Sequence, residues 1–310
     1  MTHRPLRLPE ALGMFPIAER LKQARVTLQG EDDVPPSRFG LSSFRMLRPR
    51  LALPLWLGKA PIPRRVVLTN LFNHRQTPAS EGWSVLRTQV EDFRGRDLTY
   101  DSHNGTDLCI PIGTPVLSPA PGRVVRVVNE FNRGGLKIFV DHGDGLMTCC
   151  AHLGRALVTE GDVLSRAQPM ALSGYSGIDG LTTFPWGVPH VHFNTWLNGE
   201  PVDPFPRGDE VSLWKEDSPR AHVGECSEVQ RDSAYDEERV NAAIASCKTA
   251  HVRHTLRAID SLGARAARVI IEMNYYPTRF PKRVSVYAKE HARSPRLDLP
   301  FPAALFDGVT

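Results

Sequence analysis

Five polar residues between positions 103 and 192 have side chains that could do chemistry: His103, Asp107, His152, His190 and His192. Imidazole nitrogens and carboxylate oxygens bind Zn²⁺, and histidine is the side chain that most often transfers protons in enzymes. Two histidines and one carboxylate form a common catalytic zinc set, in which the fourth coordination position is left for water. The residue types therefore predict a metal site with neighbouring acid–base groups.

The spacing within the two outer motifs favours this interpretation. His190 and His192 lie in a run that is typical of a strand, and strand alternation would place both rings on one face, roughly 7 Å apart. His103 and Asp107 are four residues apart, but Gly105 argues against a helix and favours a strand or loop whose turn brings them together. Taken alone, each short motif is also compatible with ordinary core or surface residues.

Further short motifs follow one another around these residues. They are His103-x-Gly-x-Asp107, Pro111-Ile-Gly-Thr-Pro-Val116, Pro121-Gly-Arg-Val124, Asp141-His-Gly-Asp-Gly145, Ala151-His-Leu153, Gly174-x-Ser-Gly177, His190-Val-His-Phe193 and Val202-Asp-Pro204. In this order the segment from about 100 to 205 resembles the lysostaphin-like zinc metallopeptidases, which are LytM-type peptidoglycan endopeptidases. The resemblance covers one third of the chain.

The resemblance implies a role for each of the five residues. His103, Asp107 and His192 match the family's Zn²⁺ ligands, and His152 and His190 match its two unligated active-site histidines. We expect His152 to act as the base toward a zinc-activated water and His190 to lie on the oxyanion side. The implied substrate is a peptide of peptidoglycan, and the implied fold is an antiparallel β-sheet groove.

The sequence also departs from the family pattern. Twelve residues, 178–189, separate Gly177 from His190, about twice the usual number, and they include Phe184 and Trp186. These two aromatic residues are candidate substrate-binding residues; alternatively, the loop packs on the C-terminal region. Asn194 stands where the family often has an acidic residue, which puts that support for the metal site in doubt.

The fold class predicted for the whole chain is mainly β, with an appended α/β region at the C-terminus. Alternating apolar residues and glycine- or proline-containing turns predict strands at 66–72, 84–90, 123–128, 136–141, 146–150 and 190–197. Residues 236–262 show helical spacing, and residues 268–276 are typical of a strand.

Changes in residue composition and in predicted secondary structure divide the chain into three parts. Residues 1–64 are rich in proline and arginine and predict a wrap or linker, with a helix over 17–25 and a buried strand or hydrophobic turn over 51–57. Residues 65–206 form the predicted zinc peptidase domain. Residues 207–310 form a C-terminal α/β extension, and its sequence contains no motif that indicates a catalytic or binding function.

Composition and charge limit the kinds of binding partner that the sequence predicts. Residues 1–99 carry 16 Lys/Arg against 9 Asp/Glu, but the arginines are scattered without interleaved aromatic residues, so no nucleic-acid partner is expected. No apolar stretch is long enough to predict a transmembrane segment. Five cysteines form no disulfide framework; Cys226 and Cys247 could pair in an exported protein, and Cys149 and Cys150 should point to opposite faces of a strand.

The leading hypothesis is a zinc-dependent metalloendopeptidase that cleaves peptide bonds in peptidoglycan cross-links or stem peptides. One alternative is a catalytically silent module that binds peptidoglycan or activates a partner hydrolase. Another is a zinc peptidase that acts on a non-wall peptide, because the family implies the cell envelope whereas residues 1–29 do not resemble a signal peptide.

Overall fold

The computed structural model describes residues 4–78, 81–86, 90–92, 94–216, 218–225 and 227–310. Within them the fold is mainly β. The strands are β1 Arg65–Asn70, β2 Thr106–Cys109, β3 Pro115–Leu117, β4 Gly122–Glu130, β5 Gly135–Asp141, β6 Leu146–Ala156, β7 Val163–Leu164, β8 Pro169–Ser173, β9 His190–Leu197, β10 Glu200–Pro201 and β11 Gly308–Val309. The α-helices are α1 Leu8–Ala11, α2 Ile17–Gln29, α3 Pro49–Trp56, α4 Ile178–Thr183, α5 Glu237–Ser246, α6 Ala250–Arg257 and α7 Leu262–Tyr275.

The described strands form one hydrogen-bonded sheet in the order β11-β1-β2-β9-β6-β5-β4-β7. Strand β10 pairs with β9, and β8 joins the sheet through β6 and also pairs with β3. All the pairings are antiparallel except β1 with β11, which is parallel. The central strand β9 lies between β2 and β6, so the predicted His-Val-His run is at the middle of the sheet.

The two faces of the central sheet bury different partners. One face packs Val191 and Phe193 of β9 into a core that also contains Trp214 and Leu299 from the C-terminal third. The opposite face packs Trp196 into a second core with residues of α5, α6 and α7. Because successive side chains on a strand alternate between faces, His190, His192 and Asn194 lie on the face that the helices partly cover.

Several predictions of single elements are confirmed. The helix expected at 17–25 extends to Gln29, and the strand expected at 190–197 has those bounds. The strands expected at 66–72, 123–128, 136–141 and 146–150 correspond to β1, β4, β5 and β6. Cys149 and Cys150 of β6 enter different cores, as alternation predicts. Cys226 lies outside the described residues, and so does its suggested pairing with Cys247.

The prediction for residues 51–57 is wrong, because they belong to helix α3 and the turn after it. Pro49 stands in the first turn, where its fixed φ favours a helix and its missing N–H is harmless. Ala52 and Leu55, three residues apart, are completely buried. A short continuous apolar run does not by itself distinguish a buried strand from a buried helix.

The C-terminal elements also differ from the prediction. The helix expected over 236–262 is two helices, α5 and α6, because Cys247 has an extended backbone and Thr249 caps a new start. The strand expected over 268–276 is wrong: it is the second half of α7, which begins after Ser261, the N-cap residue. Its buried residues Val269, Ile270 and Ile271 are consecutive, and such a short apolar run is compatible with a strand as well as with a buried helix.

The strand predicted over 84–90 is not present in the described residues. Ser84 forms an isolated parallel bridge with Arg38, and residues 85, 86 and 90 belong to no strand. Residues 87–89 lie outside the described part of the chain. A run with strand-like alternation can thus lie along the surface of a domain without joining its sheet.

Candidate active site

Strand register brings Asp107 and His192 side by side. The antiparallel pairing of β2 with β9 makes the two residues direct partners, and the 2.8 Å distance joins Asp107 Oδ1 to His192 Nδ1. His103 lies in the loop before β2, as its spacing from Asp107 predicted, and its Nε2 is 3.0 Å from the same Oδ1. The two motifs predicted from the sequence, His103-x-Gly-x-Asp107 and His190-Val-His192, therefore meet at Asp107 Oδ1.

The three side chains converge through one atom each. His103 Nε2 and His192 Nδ1 are 3.1 Å apart, and both are within 3.0 Å of Asp107 Oδ1. Each atom has a lone pair directed at the same small space, and such an arrangement is stable when a cation lies between them. Zinc–ligand distances of roughly 2.0–2.2 Å correspond to donor separations of a little over 3 Å. The donor set and its spacing fit a zinc ion, and this is the one group of this kind among the described residues.

Hydrogen bonds on the side away from the site orient two of these ligand candidates, His103 and Asp107. His103 Nδ1 donates to the carbonyl of Leu71 at 2.6 Å, which leaves Nε2 with its lone pair. Asn70 Nδ2 donates to Asp107 Oδ2 at 2.7 Å and leaves Oδ1 for the site. These outer hydrogen bonds fix the ring tautomer and the carboxylate orientation before a metal binds.

His192 has a longer chain of support. Its Nε2 donates to Asn104 Oδ1 at 3.3 Å, and Asn194 Nδ2 donates to the same oxygen at 3.0 Å. Asn194 Oδ1 in turn accepts a hydrogen bond from the hydroxyl of Tyr275 on α7, at 3.0 Å. The support that the substitution at position 194 put in doubt is thus provided indirectly, through an amide–amide contact. Asn104 lies at an unspecified position of the His-x-Gly-x-Asp motif, so the sequence did not indicate it.

His152 and His190 lie beside this cluster. Their ring centroids are 4.8 Å apart, and that of His152 is 6.3 Å from that of His192. His152 Nδ1 donates to Ser176 O at 2.8 Å, and His190 Nδ1 donates to Val188 O at 2.8 Å, so both Nε2 atoms face the cavity. All five residues predicted from the sequence are therefore in one place.

The backbone of His152 explains how its ring reaches the cavity. His152 has a φ of 57°, an uncommon value for a non-glycine residue. It follows Ala151, the last β6 residue paired with β9, and precedes Leu153, which pairs with Ser173 of β8. At this irregularity β6 changes its partner, and such irregularities redirect a side chain.

Burial and charge set the protonation of two site residues. Burial raises the pKa of Asp107, but the neighbouring His103 and His190 charges and two histidine hydrogen bonds outweigh it and hold the pKa well below its usual range. Burial lowers the pKa of His152 well below its usual range, and the nearby His190 charge lowers it further. At neutral pH the site therefore contains the ionised carboxylate of Asp107 and the neutral imidazole of His152, which can accept a proton.

A cavity of about 870 Å³, including its mouth, opens above the histidines. Its other side is lined by residues of the N-terminal third, among them Thr27, Phe39 and Met46. The aromatic ring of Tyr175, 5.1 Å from that of His190 between centroids, also lines it. Sequence analysis found none of these wall residues, because they carry no motif.

The loop from 178 to 189 is split between two environments. Ile178 and Asp179 line the cavity. Phe184 packs edge-on against Trp56 of α3, with 4.9 Å between ring centroids, and the backbone N–H of Arg48 donates to Trp186 O. Phe184 and Trp186 are not among the residues that line the cavity, and their proposed contact with substrate stays a prediction. These contacts of the loop are with the N-terminal third.

Residues 101–204 match the model of peptidase family M23. We call residues 101–204 the M23 segment after this match. The M23 segment is 38% identical over 102 residues to the peptidoglycan DD-endopeptidase ShyA of Vibrio cholerae, which covers 33% of this chain and 22% of that protein. It is 33% identical over 103 residues to an uncharacterized metalloprotease of Haemophilus influenzae, covering 33% of this chain and 20% of that protein.

The curated relatives are thus matched over about a fifth of their length. Among solved structures, a zinc-containing peptidase from Vibrio cholerae aligns with a TM-score of 0.33 and 29% identity, covering 46% of this chain and 38% of that chain. In the part of the chain that the structure describes, no helix combines the length and the hydrophobicity that a membrane span requires.

Proposed function

We propose that this chain is a zinc-dependent metalloendopeptidase that hydrolyses peptide bonds in peptidoglycan cross-links or stem peptides. The observation that carries the proposal is the convergence of His103 Nε2, Asp107 Oδ1 and His192 Nδ1 beside two further histidines, within the M23 segment. Relatives named peptidoglycan DD-endopeptidases support the substrate class.

The three converging residues would hold the metal through one nitrogen or oxygen atom each. With zinc bound, the site would supply a Lewis acid for the scissile carbonyl and would lower the pKa of the attacking water. The buried carboxylate of Asp107 offsets part of the positive charge, and the outer partners Leu71, Asn70 and Asn104 keep the donor atoms in place.

His152 would act as the general base. Its Nε2 faces the cavity with a lone pair, because Nδ1 is committed to Ser176 O, and its lowered pKa keeps the ring neutral at physiological pH. It would take a proton from the attacking water and return it to the leaving amine, since a peptide amine leaves only when protonated.

His190 would lie on the side where negative charge develops. Its Nδ1 donates to Val188 O, so Nε2 can donate a second hydrogen bond when the ring is protonated. Asp107 Oδ1 lies 3.5 Å from this Nε2. A donor held in this position would stabilise a developing oxyanion more than the ground-state carbonyl.

The test compares two variants, one expected to lose zinc binding and activity and the other expected to lose activity alone. Purified sacculi or cross-linked muropeptides are incubated with the wild type, His192→Ala and His152→Ala, and the products are read by mass spectrometry. We expect His192→Ala to lose both zinc and activity, and His152→Ala to retain about one zinc per chain while kcat falls by roughly 10²–10⁴. His251→Ala, on an exposed face of α6, is the control.

Two results would contradict the proposal. Cleavage that survives both substitutions, or survives a chelator, would exclude the zinc mechanism. Zinc-loaded wild type that binds sacculi without releasing any peptide would instead favour a binding or activating module.

A further inference from the structure

Arg133 is a buried arginine without an ionic partner in the described structure. It lies in the turn between β4 and β5, and its residue is only 7% exposed. Its Nη1 donates to the neighbouring Asn132 O at 3.1 Å, its Nε has no hydrogen-bond partner, and no carboxylate among the described residues lies within 4.0 Å. By contrast, the buried guanidinium of Arg166 pairs with Asp298 at 2.9 Å.

Burying a charge without a counter-ion costs folding free energy, so the buried Arg133 guanidinium indicates that a bound ligand provides the opposite charge. Desolvation lowers the pKa of Arg133, while Tyr276 and Glu130 oppose that shift. A guanidinium remains charged under such conditions, because its ordinary pKa is above 12. It therefore offers unused N–H donors in a fixed planar fork.

Aromatic rings and a glycine turn hold this guanidinium in place. Its central carbon lies 5.7 Å from the ring centroid of Trp83 and 5.6 Å from that of Tyr276. The next residues, Gly134 and Gly135, both have positive φ, and a Cβ on Gly135 would come within 2.3 Å of Ser176 Oγ. A side chain restricted in this way loses little freedom when it binds a ligand.

Arg133 is also close to the proposed base. Gly134 O accepts a hydrogen bond from the backbone N–H of His152 at 2.8 Å, so the Arg133 turn and the His152 segment are directly connected. Arg133, His152, His190 and His192 all line the same cavity. A peptide bound with its scissile bond at the histidines would thus pass the guanidinium.

The adjoining cavity has a charge that fits an anion. Arg133 lines it together with Lys282 and with Arg283, which pairs with Glu200 at 3.0 Å, and no Asp or Glu of the described chain is among its lining residues. Asp179 of α4 also lines the histidine cavity, and its carboxylate and the Arg133 guanidinium act on each other electrostatically without forming an ion pair. The cavity that Arg133 shares with Lys282 is therefore the one whose described lining favours an anion.

We propose that Arg133 binds a free carboxylate of the peptide substrate, carried by the residue that supplies the leaving amine. This inference rests on the proposed function, and it narrows the substrate to cross-links with a carboxylate beside the scissile nitrogen. A planar guanidinium can form two parallel hydrogen bonds with a carboxylate, which an ammonium group cannot reproduce.

The test uses two synthetic peptides that contain a D-alanyl–meso-diaminopimelate bond. They differ only in whether the diaminopimelate carboxyl group next to the scissile nitrogen is a free carboxylate or a primary amide. For the wild type we expect kcat/KM to be about 10- to 100-fold higher on the carboxylate peptide, the range of a charge-assisted hydrogen bond in a desolvated site.

Substitutions then locate the source of the discrimination. In Arg133→Gln, kcat/KM on the carboxylate peptide should fall to within about twofold of that on the amide, whereas Arg133→Lys should retain part of the preference. The matched control is Arg126→Gln, which removes a positive charge from β4 outside the cavity, where Arg126 contacts Glu160 at 3.8 Å. It should keep the full preference.

A binding measurement separates this inference from the proposed reaction. The dissociation constants of both peptides for His152→Ala, measured by calorimetry, should show the same preference without turnover. Equal kcat/KM on both peptides in the wild type, or equal losses on both in Arg133→Gln, would overturn the role of Arg133. A wild type that hydrolyses neither peptide would overturn the proposed function, and the calorimetric preference would still decide on Arg133.

Discussion

At the scale of single residues, the site depends on which ring nitrogen of each histidine is already occupied. His103, His152 and His190 each donate from Nδ1 to a backbone carbonyl, so that Nε2 faces the site. His192 has the opposite arrangement, since its Nε2 faces Asn104 and Nδ1 faces the site. Backbone carbonyls therefore set three of the tautomers and the Asn104 side chain sets that of His192, so substitution of Asn104 should affect the metal more than the fold.

His142 is a different kind of histidine, and its protonation should affect stability. Its ring bridges Pro121 O and Thr148 Oγ1 inside the core, where burial, with smaller contributions from the Arg296 and Arg166 charges, lowers its pKa to about 3 from 6.5. Between these pH values the unfolded chain binds a proton that the folded chain does not. The free energy of unfolding should therefore fall as pH drops below about 6.5, by up to ~1.4 kcal/mol per pH unit.

The measurement is urea denaturation of the wild type and His142→Gln at pH 7.5, 6.0 and 5.0. We expect the variant to be less stable at pH 7.5 but to lose less stability on acidification, because the buried proton acceptor has been removed. His254→Gln, on the exposed face of α6, should follow the wild-type profile. Parallel profiles for all three proteins would refute the assignment to His142.

At the scale of elements, helix α7 is coupled to the candidate metal site. Its last residue, Tyr275, donates to Asn194, which positions Asn104 against His192. The buried ammonium group of Lys137 lies over the Tyr275 ring, 4.2 Å from its centroid. A helix far from the metal motifs in sequence thus contributes the outermost group that orients a ligand candidate.

Tyr275→Phe should therefore lower zinc affinity. Removing the hydroxyl leaves Asn194 Oδ1 without its donor, so we expect a loss of several-fold to about tenfold in zinc affinity and about 1 kcal/mol in the free energy of unfolding. The control is Tyr276→Phe, whose hydroxyl donates to Glu130 and does not contact Asn194. Competition with a chromogenic chelator measures both; equal zinc affinities in the two variants would exclude this coupling.

At the scale of the whole molecule, the C-terminal third contributes to the core of the sheet. Trp214 stacks on Phe193 of β9 at 5.5 Å between ring centroids, and Leu299 and Phe301 lie in the same apolar cluster as the central strands. The backbone N–H of Leu117 donates to Pro300 O, and β11 pairs with β1. Residues beyond the M23 segment therefore help to hold the strands that carry the site.

Leu299→Ala measures this contribution. Leu299 is 2% exposed, so its truncation should leave a cavity and lower the free energy of unfolding by about 2–5 kcal/mol. Leu305→Ala, at a position that is 48% exposed, should change it by no more than about 0.5 kcal/mol. Chemical denaturation followed by circular dichroism gives both values. Similar losses in the two variants would mean that this segment does not form part of the core.

The sequence by itself determined the chemistry and the central strands. The types and spacing of His103, Asp107, His190 and His192 indicated a metal site, since a strand period of two and a local turn act over a few residues. Local signals were insufficient at short continuous apolar runs, which fit a buried strand as well as a buried helix, and this is why α3 and the second half of α7 were assigned wrongly.

Only the tertiary structure decided which distant groups support and surround the site. The contact of Tyr275 with Asn194 joins residues 81 positions apart, and the Arg133 guanidinium lies between the rings of Trp83 and Tyr276 with no ionic partner among the described residues. Such contacts arise from long-range packing, which no local pattern encodes. The sequence therefore determined the residue types of the candidate site, and the fold determined their tautomers, their supporting hydrogen bonds and the position of Arg133 in the same cavity.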